Sequence, residues 1–151
     1  RPGQATVNYS YDAPEGCVDA GNGAFAQWVA QGMVVTVGDI PAGKSNIDIS
    51  LKAQEGRDVD IQLFDGETAL VKWPDGELNG PGSQELNHRE MNIHWSGYEG
   101  TSAGPGNEYI VIQGDVTADL QMLVYGYEAG EATVTYSWGL SDEDIQAALT
   151  P

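Results

Sequence analysis

Glu55-Gly-Arg-Asp-Val-Asp-Ile-Gln-Leu-Phe-Asp-Gly66 is the stretch whose reading decides the fold. Val59, Ile61 and Leu63 alternate with Asp58, Asp60 and Gln62, so in a strand of period two the apolar set faces a core and the two aspartates share the opposite face. A half-buried strand with a charged outer face is predicted. Asp65-Gly66 supplies two residues that tolerate positive φ, and Ala69, Val71 and Trp73 resume the alternation, which predicts a tight hairpin back along the same sheet. Two readings of the paired carboxylates stay open. They are either a solvated strand face or part of a site for a hard cation, because calcium takes several carboxylate and carbonyl oxygens.

Outward from this strand, the chain of 151 residues has the length of one domain and can bury most of its apolar surface without staples. Twenty glycines and seven prolines break it at short intervals, and no run of helical period lasts beyond three turns, so strands must dominate. The expectation is an all-β, antiparallel, jelly-roll-like sandwich of about eight or nine strands with a short C-terminal helix. Six basic against twenty-three acidic residues give a net charge of -17, which repels nucleic acid and anionic membranes and favours cations or basic partners. The same acidity also suits solubility in salty water, where screening is strong. No run approaches the roughly 18 apolar residues that span a bilayer. Arg1-Pro-Gly is not a signal peptide, so the chain reads as a fragment of a longer protein whose export signal lies outside it. The lone Cys17 is a free thiol or half of an intermolecular bridge.

Along the chain, Gln4 to Tyr11 alternates as a strand and Asp12 to Asn22 reads as loop. Phe25, Trp28 and Val29 fit a short helical turn or an irregular strand; Met33 to Val37 and Ile47 to Leu51 are strands separated by a Pro41-Ala-Gly-Lys44 turn. Pro74 to Gly82 is a turn-rich loop. Met91, Ile93 and Trp95 share one strand face, and Asn92 and His94 the other. Neither His88 nor His94 has a second imidazole or thiol at ligand spacing, so zinc is not supported. Ser96 to Glu108 is a glycine-rich loop, either a flexible connection or a place where backbone carbonyls converge on a cation with Glu99, Asn107 and Glu108. Tyr109 to Gln113, Leu120 to Tyr127 and Ala132 to Trp138 close the set of strands. Ser141 and Asp144 resemble a capping box that starts a helix through Ala148.

Residues 3–11 and 130–138 echo each other, with six of nine aligned positions identical and the last pair, Tyr11 and Trp138, both aromatic. Either residues 3–11 close a preceding module of a tandem array, or two similar strands lie in one sandwich. The domain reading is one sandwich module over 1–138, followed by a linker or short helix over 139–151.

From Ile40 to Trp138 the order of motifs resembles the pre-peptidase C-terminal domain and the related proprotein-convertase P-domain, accessory sandwiches of secreted bacterial proteins. The likeness rests on the Pro-Ala-Gly-Lys turn with its amphipathic strand, on Asp58-Val-Asp-Ile-Gln-Leu63, on Gly106-Asn-Glu-Tyr-Ile-Val111, and on the closing Tyr136-Ser-Trp138. It covers about two thirds of the chain. The resemblance implies a non-catalytic jelly-roll module, often calcium-binding, secreted or on the cell surface. It implies that such a module sits beside other domains of its polypeptide and in some cases binds collagen, glycans or other proteins. By residue it touches Asp58, Asp60 and Glu108. The loop at Pro74 to Gln84 and the strand at Ala5 to Tyr11 depart from the pattern.

The residues expected to hold calcium are Asp58 and Asp60, then Glu99, Asn107 and Glu108, then Asp115 and Asp119. A carbohydrate-binding module is the alternative, with Trp73, Trp95, Tyr98 and Tyr127 as the aromatics that could stack on sugar rings. A glycoside hydrolase is a remote third, since nothing singles out a proton donor or an activated nucleophile.

Overall fold

A computed structural model describes residues 20–149. The predicted strand at Ala5 to Tyr11, its echo relation and Cys17 lie outside the described residues. Ten strands follow in the order β1 (Gly21–Val29), β2 (Val34–Ile40), β3 (Ser45–Ala53), β4 (Val59–Asp65), β5 (Thr68–Val71), β6 (Gln84–His88), β7 (Met91–Trp95), β8 (Asn107–Asp115), β9 (Leu120–Gly126) and β10 (Gly130–Trp138). One helix, α1 (Asp142–Leu149), comes last.

The strands form two antiparallel sheets, ordered β1-β10-β3-β8-β7-β6 and β2-β9-β4-β5. Without the β6–β7 hairpin, two four-stranded sheets remain, and the chain crosses between them as a jelly roll does. The hairpin extends the first sheet beyond β8, which is where the chain departs from that plan.

The core follows from alternation. Ile47, Ile49 and Leu51 of β3, Ile110 and Ile112 of β8, and Ala132 and Val134 of β10 turn inward from one sheet. Val59, Ile61 and Leu63 of β4 and Leu120, Met122 and Val124 of β9 meet them from the other. Each fully buried leucine or isoleucine contributes about 1.5–3 kcal/mol over leaving it in water. Phe25, Tyr136 and Trp138 stack in series at 5.7 and 5.5 Å between centroids along the β1–β10 seam. Ser141 caps α1 as the sequence predicts, its Oγ accepting the Asp144 N–H at 3.1 Å, and α1 rests on β3 and β8 with Ile145 buried.

Several local expectations change. Phe25, Trp28 and Val29 belong to a regular nine-residue strand paired with β10, so the helical-turn option falls and the preceding loop ends before Gly21. Asp65 pairs with Thr68, which puts the turn at Gly66-Glu67, one residue later than predicted, with Gly66 at φ 60°. A register shift between Leu63 and Phe64 then buries Leu70 and Val71 together, breaks the period-two return, and leaves Trp73 beyond β5. Met91, Ile93 and Trp95 share the inward face of β7 as expected, and Arg89, at φ 55°, turns β6 into β7.

The largest correction concerns β4. Its second face is not solvated: Asp60 is 5% and Gln62 2% exposed.

Candidate metal centre

The site begins with a mismatch of strand lengths. β9 accompanies β4 along its whole length, from Val59↔Gly126 to Asp65↔Leu120, whereas β5 pairs only with Leu63 to Asp65. On that side the first residues of β4 have no strand neighbour among those described. The Ile61 N–H projects into this gap and donates to Glu108 Oε1 at 3.2 Å.

Glu108 comes from the opposite sheet. It alternates with Ile110 and Ile112 on β8, so its side chain points between the sheets and is 2% exposed. The same Oε1 accepts the Trp95 Nε1–H at 3.2 Å, which gives the buried indole its one polar partner. With one oxygen held by two donors, the carboxylate cannot swing, and Oε2 is left without any hydrogen-bond partner. Asp58 and Asp60 come close to this carboxylate: one carboxylate oxygen from each of the three residues lies within 4.8 Å of the others.

Asp58 Oδ1 and Asp60 Oδ1 are likewise buried and unpartnered. Three carboxylates each with such an oxygen, in one cluster, are costly, because burial favours the neutral acid and like charges raise each other's pKa. Burial, then the charges of Asp60 and Glu128, pushes Asp58 up to about 6. Burial also holds Glu108 well above the ordinary glutamate range; the hydrogen bond that its protonated form can give Asp60, and then the charge of Asp60, add to the effect. Asp60 is raised by burial, and the hydrogen bond from a protonated Glu108 works the other way. A proton shared between Glu108 and Asp60 is thus one way to settle the cluster; a divalent cation is the other.

Carboxylate oxygens are the donor type that hard divalent cations take, in mono- or bidentate fashion. Glu108 and Asp58 come from different sheets, and Glu108 is oriented by Ile61 and Trp95. That arrangement is the outer-shell support that metal ligands need.

Asp58 and Asp60 also line a cavity of about 530 Å³ with Trp73, Tyr98, Glu99 and Tyr127, while Pro105 completes the wall. Among the described residues no lysine or arginine lines it. Its walls are held by backbone bonds. Tyr98 N–H donates to Gly80 O at 3.0 Å and Glu99 N–H to Pro81 O at 3.1 Å, while Gly97, at φ 91°, lies so close to Gly82 O and Pro81 O that a Cβ would stand 2.4 Å from each. Asp58 N–H donates to Glu128 Oε1 at 3.1 Å and Glu128 N–H to Asp58 O at 2.8 Å, which fastens Tyr127 beside Asp58. Trp73 precedes a cis proline and packs 5.9 Å from Tyr98 and 5.9 Å from Tyr127, at 60° and 80° between planes.

The structure therefore gathers Asp58, Asp60, Glu99, Trp73, Tyr98 and Tyr127 around one cavity, with Glu108 in the acid cluster at its inner side. Three expected ligands lie elsewhere. Asn107 faces away from Glu108 along β8 and donates to Ala103 O at 3.3 Å, tying down its own loop. Asp115 is seven residues from Glu108 on the same strand, about 24 Å at 3.4 Å per residue. Asp119 accepts the Ala42 N–H at 2.8 Å and braces the Pro41–Lys44 turn near that far end. Trp95 is fully buried and unavailable to a sugar. Glu108 itself belongs to β8 and not to the glycine-rich loop; extending the Ile110–Ile112 alternation by one step would have put it in the core. Glu128 and Pro105 carry no sequence signal that would have joined them to this site. The chain matches no family model and no curated protein at a significant level.

Proposed function

We propose that this chain is a non-catalytic, calcium-binding β-sandwich module of a larger secreted or cell-surface protein, joined to neighbouring domains and presenting a ligand-binding cavity for adhesion or recognition. The observation that carries the reading is the meeting of Asp58, Asp60 and Glu108, with an unpartnered buried oxygen on each. Buried carboxylates whose free oxygens have no hydrogen-bond donor call for a proton or a cation, and Glu108 is positioned by donors that favour its ionised form. The acidic balance of the chain and the resemblance to pre-peptidase C-terminal and P-domain modules agree with calcium, export and a supporting role.

Thermal unfolding in chelator, in millimolar calcium, and in magnesium at equal ionic strength tests this. A site occupied at 100 times its Kd adds about 2.7 kcal/mol. A rise specific to calcium and lost in Asp60→Asn supports the reading; equal rises with both ions, or none, count against it.

A second reading, carbohydrate binding, is favoured by one observation, the gathering of Trp73, Tyr98 and Tyr127 around the cavity. Saturable binding of methyl pyranosides, weakened by Tyr127→Ala, would select it.

A further inference from the structure

The aromatic rings and the acids do not occupy separate surfaces; they line one cavity, and this juxtaposition defines a ligand class. Trp73 stands at 80° to Tyr127 and at 60° to Tyr98, with centroids 5.9 Å apart in both pairs. A pyranose stacks on a flat platform, and rings so inclined cannot share one flat face. They instead turn different faces and edges around a small volume, an arrangement suited to a compact cation that is attracted to ring faces from several directions.

The charge points the same way. Asp58, Asp60 and Glu99 line the cavity and Glu108 clusters with Asp58 and Asp60, with no basic residue in the wall among the described residues. Even with a calcium ion on Asp58, Asp60 and Glu108, three negative charges against two positive leave a net negative site, and Glu99 adds another. The acid cluster does not stand alone: Glu108 and Asp60, both more than nine-tenths buried, each keep an unpartnered oxygen in it. A cavity of this size admits a small organic head group.

We propose that this cavity binds an alkylammonium group, held by the Trp73, Tyr98 and Tyr127 rings and by the carboxylates of Asp58 and Glu99. The inference rests on reading the cavity as a binding site, and it names the ligand which that reading leaves open. It does not require the metal.

The test titrates the intact chain with choline and with n-butylammonium, following tryptophan fluorescence and calorimetry, in chelator and again in millimolar calcium. The control ligand is 3,3-dimethyl-1-butanol, which matches choline in shape and lacks its charge. Saturable binding of either ammonium, at least tenfold tighter than the neutral alcohol, is expected. Tyr127 is 51% exposed, so Tyr127→Ala should leave the melting temperature nearly unchanged and weaken binding at least fivefold, while Tyr127→Phe keeps the ring face and restores it. Glu99→Gln should weaken it as well. The tighter of the two ammoniums tells a methylated head group from a lysine-like amine. Equal binding of the neutral alcohol, binding of methyl pyranosides alone, or no ammonium binding up to 100 mM overturns the proposal. If the melting temperature ignores calcium while choline still binds, the metal reading fails alone; if calcium stabilises and ammonium does not bind, the ammonium proposal fails alone.

Discussion

Replacing Glu108 by glutamine should reverse its effect on stability according to whether calcium is present. In the wild-type protein Oε1 accepts the Ile61 and Trp95 N–H groups, while Oε2 and Asp60 Oδ1 are buried without partners. A glutamine keeps the first two bonds through its carbonyl and offers its NH₂ to Asp60. One buried unsatisfied polar group costs about 1–3 kcal/mol, more when charged, so Glu108→Gln should gain about 2 kcal/mol in chelator. For a chain of this length that is a rise of about 4–8 °C in melting temperature. In calcium at 1,000 times its Kd the wild type gains about 4.1 kcal/mol. The variant lacks the ligand and does not, so the wild type should lead by about 2 kcal/mol. Glu108→Leu separates packing from charge, because it leaves the Ile61 and Trp95 N–H groups unpaired and should lose stability in both buffers. Calorimetric or fluorescence melts of the three proteins, with and without calcium, suffice. The reasoning is refuted if Glu108→Gln is less stable than wild type in chelator yet keeps the full calcium response.

The same cluster sets a pH dependence. Asp58 is raised to about 6 from 3.8, so the folded protein takes up a proton before the unfolded chain does as pH falls. Stability in chelator should therefore increase from pH 7 down towards pH 4, and fall again as pH rises through 6. Because Asp58 remains partly exposed, solvent screening reduces its share to about 1 kcal/mol; Asp58→Asn should flatten the melting-temperature profile, as should calcium. Gly97→Ala would place a Cβ 2.4 Å from two backbone oxygens at positive φ and is expected to cost more than about 2 kcal/mol. It should also displace Tyr98 and Glu99, so ammonium binding to the folded fraction should drop with it. Ser141→Ala removes the cap on Asp144 and should cost about 1 kcal/mol, read in denaturant melts, with calcium binding untouched.

Legibility in the sequence tracked the range of the forces involved. The alternation Val59, Ile61, Leu63 is a local consequence of strand geometry, and each of the three is fully buried. The same rule on β8 places Glu108 beside Ile110 and Ile112, yet the adjoining glycines draw the eye to a loop, and the strand begins two residues earlier than its apolar run. Turn positions slipped by one residue at Gly66 because the pairing register, not the local dipeptide, chooses which residues turn. Asp115 and Asp119 read as neighbours of the acidic loop in sequence, but a nine-residue strand carries them to the opposite end of the sandwich.

By itself the sequence determined the class of fold, the inward faces of most strands, the capped helix, and the residue types of the site. All of these follow from periodicity and from short-range backbone preference. Tertiary structure alone decided that Asp58, Asp60 and Glu108 meet, since their meeting depends on β5 being shorter than β4 and on a carboxylate reaching across from the other sheet. It likewise decided that Trp73, Tyr98 and Tyr127, 54 residues apart at the extremes, close on the same cavity. Which side chains become neighbours across two sheets is set by register and strand length, quantities that no single stretch of chain contains.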